Sequence, residues 1–154
     1  MPFNRIIPYT TKYGNEYLIK YEKFTSEFLP DDFDIPIIDV SLILITNTKS
    51  HDREILRILS NSLLDYLNEF DVIIYYYSDI KDIPIRKSRT ISPQEFRHRL
   101  FSCLFEKYGN ESFILQPTII HDEKDGDHYI SLISHIKNID KIEDVKELLK
   151  GFNK

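Results

Sequence analysis

Two apolar, β-branched runs separated by an amphipathic stretch constrain this chain most. Residues 37–46 contain Ile37, Ile38, Val40, Leu42, Ile43, Leu44 and Ile45. So continuous a run predicts a strand covered on both faces. Residues 72–78, Val-Ile-Ile-Tyr-Tyr-Tyr-Ser, read the same way. Between the two, Ile55, Leu56, Leu59, Leu63, Leu67 and Phe70 recur at helical spacing. Ser50 is the expected N-cap, and Asp52 and Glu54 place carboxylates in the first turn, where the helix dipole favours them. Strand, helix, strand in that order is a crossover unit, so the two strands are expected to run parallel.

The flanking segments extend this unit. Residues 5–12 read as a strand. In residues 16–24, Tyr17, Ile19, Tyr21 and Lys23 alternate against Leu18, Lys20 and Glu22. Tyr13-Gly14-Asn15 between them is a hairpin signal. Residues 25–36, with Pro30, Asp31, Asp32, Asp34 and Pro36, read as a loop. Ser92-Pro93-Gln94-Glu95 is a capping box, with Ile91 and Phe96 at the staple positions. The helix it opens is expected to end at Gly109, with Phe96, Leu100, Cys103 and Leu104 marking its apolar face. A hairpin over 112–121 and 128–136 follows. A last helix is expected from Asp140, with Glu143 completing its capping pair, to about Gly151. The fold class is therefore α/β (α+β), a single mixed sheet in the order β-β-β-α-β-α-β-β-α. One domain over 1–154 is expected, its core over about 5–136 and its last helix over about 140–150.

Composition excludes several classes. The chain of 154 residues is 42% hydrophobic, with ten Tyr and ten Phe, enough for a sizeable core. Charged residues are 29% with both signs mixed, unlike a disordered tail. No apolar run approaches the ~20 residues of a membrane span, and the first residues carry no secretory signal pattern. A single cysteine suits a reducing compartment, so the expected localisation is cytoplasmic. No cofactor is expected.

The element order resembles the core of the GNAT-type acetyltransferases: a meander, a crossover helix to a parallel strand, a second helix and a closing hairpin. That resemblance implies a loop, Gln/Arg-x-x-Gly-x-Gly/Ala, whose backbone N–H groups hold the pyrophosphate of acetyl-coenzyme A. Here the corresponding segment is Thr46-Asn47-Thr48-Lys49-Ser50-His51-Asp52-Arg53. It has no glycine, and Asp52 brings an anion to the phosphate position, so the family's cofactor residues are not carried over. A second resemblance, to small bacterial families of unknown function, rests on three segments. These are Tyr75-Tyr76-Tyr77-Ser78-Asp79, then Arg86 and Arg89, then Arg97-His98-Arg99-Leu100-Phe101. It implies no activity.

The segment Lys81–Arg99 carries Lys81, Arg86, Lys87, Arg89, Arg97 and Arg99 against Asp82 and Glu95. That local excess of four positive charges stands in a chain whose net charge is −5. It leads into a capped helix N-terminus that favours anions. Asp79, Arg86, Lys87, Arg89, Ser92, Arg97 and Arg99 are thus the candidate anion- or partner-binding residues. Against this stands the simpler reading of a solvated loop with paired surface charges. Asp79 ends the second parallel strand, where ligands gather in α/β sheets, or else caps the turn that follows.

Other constellations are weaker. His121, His128 and His135 recur every seven residues, but His128 and His135 fall on opposite strand faces, and no metal spacing appears. Cys103 is expected to be a small buried residue of its helix. Tyr75 and Tyr77 share a strand face opposite Tyr76. No nucleophile elbow, P-loop or kinase motif is present, so no catalytic residue is named. The leading functional reading is a non-catalytic protein-binding or accessory module whose partner is another protein. The alternatives are a phosphate- or nucleotide-binding enzyme or relic of the acetyltransferase type, or a nucleic-acid accessory protein using residues 86–99.

Overall fold

The structure is a computed structural model that describes residues 3–12, 14–24, 34–46, 54–78, 98–99, 102–103, 105–107, 111–121 and 128–150. Strands β1 (Arg5–Thr10), β2 (Glu16–Lys23) and β3 (Ile37–Thr46) lead into helix α1 (Glu54–Glu69) and strand β4 (Ile73–Ser78). Strands β5 (Phe113–Ile120) and β6 (His128–His135) follow. A 3-10 turn (Ile136–Asn138) then leads into helix α2 (Ile139–Lys150). Residues 98, 99, 102, 103 and 105–107 are helical. The element order is the expected one.

The six strands form one mixed sheet in the order β1-β2-β3-β4-β6-β5. β3 and β4 are parallel, as the crossover required, and the other pairs are antiparallel. The first hairpin closes through Gly14 at φ 83°, with Gly14 N–H donating to Thr11 O at 2.9 Å. That backbone region favours glycine. Pro8 and Pro117 sit within β1 and β5, which among the described residues have a neighbouring strand on one side only. A proline removes a donor from the ladder, so sheet edges are where it is tolerated.

The two sheet faces carry separate clusters. On one face α1 buries Ile55, Leu56, Leu59, Leu63 and Leu67 against Tyr17, Ile19, Tyr21, Ile38, Val40, Ile74 and Tyr76. On the other, α2 buries Ile142, Val145 and Leu149 against Ile37, Ile73, Ile130 and Leu132. The tyrosine run obeys the alternation: Tyr76 enters the first cluster, Tyr75 and Tyr77 the second. Tyr21 hydrogen-bonds Ser62 beneath α1 and stacks on Tyr66 at 4.3 Å. Burial pushes the Tyr21 hydroxyl far above its ordinary range. Arg5 forks onto both Glu69 oxygens, with its guanidinium 4.9 Å from the Phe70 ring centre, and ties the edge strand to the end of α1.

The last helix begins differently from expectation. It starts at Ile139, straight out of the 3-10 turn, so Asp140 stands inside the first turn and is not a cap. The turn is held instead by Asn138, whose Nδ2 donates to Asp71 Oδ1 and Ser134 Oγ, both at 2.9 Å.

Candidate functional site

Only Ile37–Val40 of β3 pairs with β4. Beyond Val40, β3 stays with β2 as far as Thr46, while β4 stays with β6 as far as Ser78. The sheet therefore forks into an arm, β1-β2-β3, and a body, β4-β6-β5. The cluster around α1 takes side chains from arm and body alike. The cluster under α2 takes Phe24, Ile35 and Ile37 from the arm side, and no later residue of β3. This corrects the expectation that all of 37–46 is covered on both faces. The second covering helix follows the body, and β3 leaves the body halfway along its length.

The face of the arm that no helix covers among the described residues is unusual in composition. Antiparallel sheets with one solvated face normally alternate apolar inward and polar outward. Here register aligns Pro8, Leu18 and Ile43 in one row across the three strands. Ile6 stands two residues along β1, and Ile45 two residues along β3. Ile6, Ile43 and Ile45 are 62%, 38% and 54% exposed. Their neighbours in sequence, Ile7, Leu42 and Leu44, pack against the opposite, α1-side core. Single exposed apolar residues are ordinary, but a contiguous row of them on one face marks an interaction surface.

Four residues along β2 and β3 from this row, the same face is charged. Glu22 and Asp39 are direct cross-strand partners. Like charges directly opposite each other repel. Lys20 Nζ lies 3.3 Å from Glu22 Oε2 on the same face and relieves part of that repulsion. Among the described residues no hydrogen bond or ion pair reaches the Asp39 carboxylate. Half-burial, and then Glu22, raise its pKa above the ordinary carboxylate range, with Lys20 opposing them. Tyr75 is the β4 partner of Asp39. Burial, with Asp39 next in size, pushes its hydroxyl to about 12.

Of the residues singled out from sequence, Asp79, Arg86, Lys87, Arg89, Ser92 and Arg97 lie outside the described residues, as does the capping box. Arg99 is helical and exposed. Cys103 is exposed, not buried. His98, Ser102 and Phe105 share one side of this helix by spacing, and His98 and Phe105 are buried, so residue 103 is turned outward. The three histidines do not gather. His121 is exposed, His128 Nδ1 bonds the Tyr77 hydroxyl, and His135 Nε2 donates to Leu67 O at 2.8 Å on the other side of the sheet. Among the described residues no group of three His, Cys, Asp or Glu is placed to hold a metal. Thr118 and Ser131 bury hydroxyls without hydrogen-bond partners, but Ser131 is adjacent to Thr118's register partner Ile130, so they face opposite sides.

The reading of 37–46 as wholly buried is what hid the apolar face. A signal was present. Asp39, Ser41, Ile43 and Ile45 alternate against Ile38, Val40, Leu42 and Leu44, and the first set contains the polar residues. Leu18, Lys20 and Glu22 on β2 show the same mixed face.

No helix among the described residues is long and apolar enough to cross a membrane. Comparison with protein-family models, with curated proteins and with solved structures finds no match to the chain.

Proposed function

We propose that this protein is a binding module that docks another protein chain on the open face of its β1-β2-β3 arm. The observation that carries this reading is the apolar row Pro8–Leu18–Ile43, extended by Ile6 and Ile45 on a face no helix covers among the described residues. Transferring such surface from water is favourable at about 25 cal/mol per Å². Glu16 and Lys20 stand on either side of Leu18 along the middle strand, with Glu22 beyond, so charged residues border the apolar row along β2 as polar groups border apolar centres in protein interfaces. The binding mode is face packing. Strand addition at β1 would meet the donor missing at Pro8.

A photo-crosslinking residue at position 43, compared with one at exposed Arg57 on α1, tests the reading in the native host. The expected result is one defined protein adduct from position 43, absent from position 57 and lost when Ile6→Glu is added. Equal adducts from both positions, or none from position 43, would overturn it. All three changes fall on exposed side chains, so the fold is expected to survive them.

A further inference from the structure

The same face of β2 and β3 carries a charge pattern as well as an apolar row, at the base of the arm where Asp39 still pairs with Tyr75 of β4, and the pattern specifies what kind of chain can lie on it. Resting on the docking reading above, we propose that the partner segment is basic as well as apolar: one of its Arg or Lys side chains sits between Glu22 and Asp39 while its apolar side chains cover Pro8, Leu18 and Ile43.

Three observations support this. First, Glu22 and Asp39 are register partners on the same face as Leu18 and Ile43, so one ligand reaches both features. Secondly, the resident cation, Lys20, is placed on Glu22 at 3.3 Å, and among the described residues the Asp39 carboxylate has no hydrogen-bonding cation of its own. A guanidinium presents a planar fork of donors that can serve two carboxylates at once. Thirdly, Asp39 is a residue that burial and Glu22 make costly to ionise. A group so placed, with no hydrogen-bonding cation among the described residues, has the pattern expected of a binding position.

The geometry also sets a distance. Asp39 and Ile43 are four residues apart on one strand, roughly 13 Å at about 3.3 Å per residue. The partner's basic group must lie that far from the side chain seated on Ile43. An extended segment spans this in about four residues, a helix in about nine.

The test is selection from a random peptide library against three forms of the protein: wild type, Glu22→Gln/Asp39→Asn, and Ile43→Glu. Melting curves establish that each form is folded. Wild type is expected to enrich peptides that pair large apolar residues with an Arg or Lys at one of those two spacings. On Glu22→Gln/Asp39→Asn the apolar residues are expected to persist, the basic bias to vanish, and the affinity of the enriched peptides to fall about tenfold or more. On Ile43→Glu no enrichment is expected. Apolar peptides without a basic bias on wild type would overturn this inference and leave the docking surface standing. Equal enrichment on wild type and Ile43→Glu, or no enrichment on wild type, would overturn both.

Discussion

At the scale of single residues, Asp39 gives the sharpest prediction. Its folded-state pKa is raised, chiefly by burial and then by Glu22. A raised pKa means that the folded state holds the proton more tightly than the unfolded one. The stability tied to that proton is complete below the unfolded value, about 3.9, and is lost as pH rises through the folded pKa. At neutral pH the ionised Asp39 therefore destabilises the fold. Asp39→Asn is expected to stabilise the fold at pH 7, by under about 1 kcal/mol once solvent screening of this partly exposed group is included, and so to raise Tm. The gain should disappear below about pH 4. Thermal unfolding of the two proteins across that range checks this, and a Tm that falls at pH 7 would count against the assignment.

At the scale of elements, the placement of proline accounts for a sheet that ends cleanly on both sides. Among the described residues β1 and β5 each have an open side, and each carries a proline near its middle. An unprotected edge of this length, Ile-rich on one side, is a template for another strand. Pro8→Val/Pro117→Val is expected to restore the missing donors and to make the chain associate more readily. Light scattering should then grow with concentration while the Tm of the dilute protein changes little. A variant that scatters like wild type would show that the edges are guarded by something other than the prolines. The helices follow a simpler logic. α1 buries five aliphatic residues at helical spacing, and α2 buries Ile142, Val145 and Leu149 on the opposite face.

For the whole molecule, three carboxylates tie distant parts of the chain together. Glu69 holds Arg5, Asp71 holds Asn138 and Lys137, and Asp34 holds Lys141 at 2.7 Å. Hydrogen bonds to these partners, more than bare charge attraction, keep all three carboxyls below the ordinary range. Their sign is opposite to that of Asp39. The stability they supply is present above the unfolded value near 4 and is lost as pH falls through their lower folded values. Tm is therefore expected to drop between about pH 4 and 2, and Asp71→Asn should flatten that drop. A Tm independent of pH across this interval would show that these contacts contribute nothing. Since Glu69 and Asp34 are exposed to solvent, the drop should also shrink in high salt.

Much of the architecture was legible in the residues themselves. The stripe Ile55–Leu67 specified α1 because a helix repeats every 3.6 residues, whatever surrounds it. The spacing of strand, helix and strand specified the parallel pair, since two parallel strands need a crossover. Period-two alternation separated Tyr76 from Tyr75 and Tyr77. The candidate site was another matter. Ile37 and Ile43 are equally apolar in the sequence, yet one lies beneath α2 and the other is exposed. What separates them is where β3 parts from β4, and that depends on the length of pairing between strands far apart in the chain. Local pattern fixed which residues are apolar and which way they alternate. Only the tertiary structure decided which apolar face receives a helix, because cover comes from elements a hundred residues away.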